Sequence, residues 1–264
     1  MNARSARWND LQARVSSGLL MAVPAVMAIW LGGWWFLSLV ALVSAVMMWE
    51  LARMNAPERP NEALTLAGLA GGSLLVIILM QAPVLLALLV LPGLAGALRP
   101  RRDLPVFLTY ALVIMLTGYG LVALRFGAGM STIIWLALVV IASDIAGYFA
   151  GRMFGGPKFW PAISPKKTWS GTVAGWFGAA LVGWGFVLMG QAGWALVLLS
   201  PLVAFAGQLG DIAESWIKRR SGVKDSSNLI PGHGGVLDRF DALSGAVVMV
   251  LVLALFAQLP SIGG

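Results

Sequence analysis

Cysteine is absent from the 264 residues. That excludes a disulfide framework, a thiolate metal site and a thiol nucleophile. Charge is scarce as well: Asp, Glu, Lys and Arg together make 11% of the chain, against about 25% in a soluble domain. Histidine occurs once, at His233, and no GxxxxGK[ST] loop is present, which disfavours a Walker-type ATPase. What fills the chain instead is apolar, 59% of all residues. The composition predicts an integral membrane protein with several spans. The net charge of +7 does not indicate nucleic acid. The basic residues sit in short loops beside apolar segments, the pattern of topology determinants and anionic headgroup contacts.

A span needs about 20 mostly apolar residues. The pattern predicts an all-α polytopic bundle of about nine transmembrane helices, at roughly 16–32, 34–52, 64–80, 82–98, 104–124, 131–150, 171–190, 193–214 and 242–259. The first 16 residues and the apolar run after them resemble a signal peptide in outline. The run continues almost unbroken to Trp49, so an uncleaved first span is expected. With the N-terminus cytoplasmic and the C-terminus outside, every Lys and Arg except Arg125 falls on the cytoplasmic side, as the charge bias requires. Glycines at helical spacing, Gly171, Gly175 and Gly178, suit close helix packing. Residues 1–103 read as membrane scaffold and residues 104–264 as the catalytic region.

Three polar groups interrupt the apolar pattern. The first is Ser143-Asp144 in span six, with Tyr148 and Arg152 one and two turns on. An acid within a span is either neutralised or aimed at a partner or polar cavity. The second is the loop from Pro161 to Gly171, which contains Ser164, Lys166, Lys167, Thr168 and Trp169. Paired lysines beside hydroxyls and a glycine suit phosphate oxygens; lipid headgroup contact is the alternative. The third runs from Asp211 to Asp241. Asp211, Glu214, Ser215 and Lys218 share one face of a helix, and Asp238 and Asp241 stand three apart at the start of the last span. Carboxylates from two helices suit a hard divalent cation such as Mg²⁺, with substrate phosphates completing its shell. Between them, Gly232-His233-Gly234-Gly235 offers a turn whose backbone N–H groups could approach a phosphate. His233 is either a general base or a positioning group. Carboxylates, cations and a glycine turn at a membrane face describe metal-assisted phosphoryl or nucleotidyl transfer on a lipid phosphate.

The spacing Ser215-x-Ile217-Lys218-Arg219, Lys224-Asp225-x-Ser227, Ile230-Pro231-x-His233-Gly234-Gly235-Val236-x-Asp238-Arg239-Phe240-Asp241 resembles the signature of the phosphatidate cytidylyltransferase (CDP-diacylglycerol synthase) family. Ser143-Asp144 and Ser164-Pro165-Lys166-Lys167-Thr168-Trp169 resemble the same family in the same order. Two positions depart from it: Gly147 stands where alanine is common, and Ser170 where an acid or amide is frequent.

The resemblance implies conversion of CTP and phosphatidate to CDP-diacylglycerol and pyrophosphate with Mg²⁺, and it leaves room for a second, monovalent cation such as K⁺. It places Asp211 and Asp238 at the metal, with Asp241 as a further ligand and Asp144 and Glu214 close by. The expected catalytic set is Asp144, Lys166, Lys167, Asp211, Glu214, Ser215, Asp238 and Asp241. The expected substrate contacts are Ser164, Lys218, Arg219, Lys224, His233, Gly234, Gly235 and Arg239. The implied setting is the cytoplasmic face of a bacterial-type inner membrane, with membrane lipid as a partner and a homodimer compatible with the family. The nearest rivals are a CTP-dependent polyprenol kinase, which would release CDP, and a secondary transporter, which would place its acids near the midplane and often show paired repeats.

Overall fold

In the computed structural model, residues 3–263 are described, with side chains from Ser16 onward. Arg4, Arg7 and Arg14, assigned to the cytoplasm from sequence, have side chains outside that range. The helices are α1 (Ala3–Leu31), α2 (Gly33–Asn55), α3 (Pro60–Met80), α4 (Leu91–Ala97), α5 (Leu104–Gly127), α6 (Met130–Met153), α7 (Trp169–Leu188), α8 (Ala195–Arg220) and α9 (Leu237–Phe256). Among the described residues seven helices are long and apolar enough to cross a membrane: α2, α3, α5, α6, α7, α8 and α9. Many of their large apolar side chains face outward, Leu42, Phe177, Leu198 and Leu255 among them. That is costly in water and ordinary in lipid. The protein is an integral membrane protein.

The chain divides into two compact units, residues 1–118 with 223–239, and residues 119–222 with 240–264. In the first, α1 turns into α2 at Gly32 and Gly33, both at positive φ (63° and 47°), which glycine adopts without a Cβ clash. Gln81 closes α3 in the left-handed region (φ 50°).

The predicted span 82–98 is not one helix. It is a 3₁₀ segment, Pro83–Leu89, followed by the seven-residue α4. Pro92 lies in the first turn of α4, and a proline there removes an N–H and crowds the preceding turn. The broken segment still runs back along α3. Beyond it, Arg59 at the start of α3 donates to Pro100 O (2.9 Å), Arg101 pairs with Glu62, and Arg102 N–H reaches Asn55 O (3.3 Å). Residues 100–102 therefore lie at the Pro60 end of α3.

In the second unit, glycines bring α6 and α7 together. A Cβ on Gly171 would stand 2.6 Å from Gly147 O, and one on Gly178 would stand 3.0 Å from Ala142 O. Helices α8 and α9 meet in the same way, with a Cβ on Gly207 placed 3.0 Å from Ala242 O. The loop before α7 contains a small antiparallel hairpin, β1 (Lys158–Trp160) and β2 (Ser164–Thr168). The helical prediction did not include it.

Candidate active site

The second unit gathers its polar groups at the ends of α6, α8 and α9. Three side chains set the frame. Thr168 caps α7, its Oγ1 accepting from Gly171 N (3.2 Å), the usual role of a threonine at that position. Ser170 Oγ donates to Gly155 O (2.5 Å), which fastens the hairpin loop to the start of α7. Gln208 of α8 then joins three helices: its Nε2 donates to Ser143 Oγ and Thr172 O (3.2 Å each), and its Oε1 accepts from Trp176 Nε1 (3.1 Å). The sequence reading missed Gln208. Its only signal is an amide in an otherwise apolar stretch of helix.

This frame positions the charged residues. Lys167, at the end of β2, forms an ion pair with Asp211 and also donates to Gln208 O (3.3 Å). Ser215 Oγ, one turn on, approaches Asp211 Oδ1 at 3.4 Å. Asp144 from α6 and Asp241 from α9 both interact electrostatically with Asp211. Asp241 Oδ1 accepts from Ala242 N (2.7 Å). Three carboxylates from three helices thus share one neighbourhood, with Lys167 on the central one. Glu214, fully buried, pairs with Lys218 at 2.5 Å, the i,i+4 geometry expected on one helix face. Of the other expected site residues in this unit, Lys166, from the catalytic set, and Arg219, a substrate contact, are exposed, and Ser164, also a substrate contact, lies in β2, half-buried.

The first unit holds the other expected residues, in the loop 223–239. Asp238 is largely buried, and its Oδ2 accepts from Ser226 N (2.9 Å), Ser226 Oγ (2.8 Å) and Gly235 N (2.7 Å). Arg239 donates twice to His233 O, from Nε (3.0 Å) and Nη2 (2.7 Å). His233 Nδ1 lies 2.8 Å from Ser17 Oγ, and that hydroxyl donates to Pro231 O (3.0 Å). With its proton on Pro231, Ser17 accepts from His233 Nδ1–H. This tethers the ring, a contact that a general base and a positioning group would share.

The glycine turn folds inward. Gly232 and Gly234 have φ of 74° and 80°, Gly234 O accepts from Ile230 N (2.8 Å), and His233 N–H donates to Ile230 O (2.9 Å). The Gly235 amide, expected from sequence to meet a phosphate, serves Asp238. The next two amides serve Glu50, at 2.9 and 2.6 Å. Glu50 lies on α2, which the sequence reading assigned to scaffold, and nothing in its local pattern distinguishes it from a headgroup-facing acid. Lys224 stays exposed.

A family model described as the Cytidylyltransferase family matches residues 12–257. The chain belongs to the cytidylyltransferase family. A phosphatidate cytidylyltransferase of Brucella suis biovar 1 is 47% identical over 135 residues, covering 49% of each chain. One of Haemophilus influenzae is 42% identical over 126 residues, covering 45% of this chain and 44% of its own. One of Staphylococcus aureus is 39% identical over 128 residues, with 47% and 49% covered. The chain spans about half the length of the curated relatives it matches.

For this cytidylyltransferase-family chain, the carboxylates offer oxygen donors of the kind a hard divalent cation takes. Among the described residues no three Asp, Glu or His side chains form a group that could enclose an ion. Such a cation would therefore take one or two carboxylates here and leave its other positions to phosphate and water, the common arrangement for Mg²⁺. Asp211 and Asp241, both in the second unit, suit that role. Asp238, the third residue expected at the metal, lies in the first unit, where its Oδ2 holds the loop.

Proposed function

We propose that this chain transfers the cytidylyl group of CTP to phosphatidate, giving CDP-diacylglycerol and pyrophosphate. The observation that carries the reading is the neighbourhood of Asp144, Asp211 and Asp241 with Lys167 ion-paired to Asp211. It is a charged centre built on apolar helices. Intramembrane acids of this kind mark sites of chemistry or transport, and family membership and the relatives' names favour nucleotidyl transfer.

A phosphatidate oxygen attacks the α-phosphorus of CTP. One P–O bond forms, the bond to the bridging oxygen breaks, and pyrophosphate leaves with that electron pair. The nucleophile is already an anion, so the main task of the protein is to bring two polyanions together, and positioned cations answer it. Lys167 is held in place by Asp211 and Gln208 and can turn its charge toward a phosphate. Lys218, anchored by Glu214, supplies a second fixed cation. Lys166 and Arg219, both exposed, can meet the incoming nucleotide. Asp211 and Asp241 would hold Mg²⁺, which when bound would neutralise the nucleotide phosphates, and Asp144 adds negative charge to the same neighbourhood. A monovalent cation such as K⁺ is a further proposed component. In the first unit, Asp238, Arg239 and His233 hold the shape of the loop, while Lys224 presents a charge at its rim.

The proposed topology has nine crossings, the N-terminus in the cytoplasm and the C-terminus outside, in a bacterial inner membrane. The carboxylate centre then opens to the cytoplasm, where CTP is. The test of reaction type is parallel assays with α-labelled and γ-labelled CTP. Cytidylyl transfer moves only the α-label into lipid and releases the γ-label as pyrophosphate. Movement of the γ-label into lipid would mean a kinase.

A further inference from the structure

Helix α2 carries one acid, Glu50, fully buried and flanked by the buried Met47, Met48 and Leu51. Its carboxylate accepts from both arms of the loop 223–239. Oε1 takes Ser227 Oγ (2.6 Å) and Val236 N (2.9 Å), and Oε2 takes Leu237 N (2.6 Å). Ser226 Oγ stands 3.3 Å from Oε2 but closer to Asp238 Oδ2, at 2.8 Å. Its single proton therefore belongs to Asp238, and the serine links the two carboxylates. The space is filled: a Cβ on Gly235 would collide with Ser226 Oγ and the Glu50 carboxylate. The carboxylate thus occupies the N-terminal amides of α9, where an anion is favoured by the helix dipole.

A buried acid is an expensive way to stabilise a helix, and apolar packing commonly does as well or better. Its advantage is directional, because hydrogen bonds to both arms of a loop fix that loop in one shape. We propose that Glu50 is the positioning residue of the signature loop, locking residues 226–227 against 236–237 so that the loop, with Lys224 and His233 on it, keeps one shape. Its effect on turnover rests on the cytidylyl-transfer reading; its effect on the loop does not.

The experiment compares full-length wild type, Glu50→Gln and Ser227→Ala in lipid nanodiscs. It measures amide hydrogen exchange peptide by peptide, and kcat and KM with CTP and phosphatidate. A glutamine keeps the size but turns an NH₂ toward donors. The expected result is faster exchange confined to residues 223–239, unchanged exchange in α3, and a kcat lowered on the order of 100-fold, the scale of a small misplacement, with KM little changed. Ser227→Ala should change both readouts in the same direction by less. Unchanged exchange in the loop, exchange rising equally through α3, or a change in KM alone would overturn the proposal. If Glu50→Gln does not fold, Ser227→Ala decides by the same criteria. If wild type does not turn over these substrates, the cytidylyl-transfer reading fails, and the exchange pattern alone still decides whether Glu50 holds the loop.

Discussion

At the scale of single residues, the proposed chemistry rests on Asp211 and the lysine paired with it. Asp211→Asn keeps the size and removes the charge, so it should lower kcat by roughly 100-fold or more, the scale for losing one preorganised electrostatic group. Insertion and the melting profile should be unchanged; full activity would remove the residue from the proposed metal centre. Lys167→Ala should lower kcat similarly, checked by turnover at saturating CTP. Unchanged kinetics would return the 161–171 loop to headgroup contact. As a candidate, Asp211 stood out in the sequence because charge within an apolar run is costly and is seldom kept without a partner or a function, and Lys167 because it is one of two adjacent lysines beside hydroxyls. Glu50 and Gln208 did not. Their importance comes from distant partners, Ser227 and Leu237 for one and Ser143 and Trp176 for the other, and no local spacing encodes those pairings.

At the scale of elements, the α6–α7 pair depends on backbone approach. Gly171→Ala places a methyl 2.6 Å from Gly147 O, and backbone cannot yield as a flexible side chain can. The expected cost is about 1–3 kcal/mol, read as a fall of several degrees in the melting temperature. A variant that melts with wild type would mean that the helices are not held so closely. The apolar runs gave most helix positions well, because period and length suffice for a span. The segment 82–98 shows the limit of that reasoning. Its composition is that of a span, but its prolines break it into a 3₁₀ segment and a short helix. The hairpin at 158–168 was likewise invisible, since Pro165 on a short strand gives no alternating pattern.

At the scale of the whole molecule, the absence of cysteine makes topology directly measurable. Single cysteines at Ala82, Arg99, Ala162 and Gln191 can be labelled in intact cells with a membrane-impermeant reagent. Ala82 and Gln191 should label from outside, whereas Arg99 and Ala162 should label only after permeabilisation. Labelling of Arg99 from outside would mean that the broken segment does not cross, and the orientation drawn from the basic residues would fail. The measurement that bears most directly on function uses purified wild type and Asp211→Asn in mixed micelles with phosphatidate, Mg²⁺ and α-labelled CTP. The expected result is label entering the lipid fraction with wild type, pyrophosphate released in equal amount, and both abolished by EDTA or by the substitution. Label that stays water-soluble with wild type, or lipid labelling that survives in Asp211→Asn, would contradict cytidylyl transfer at this carboxylate centre.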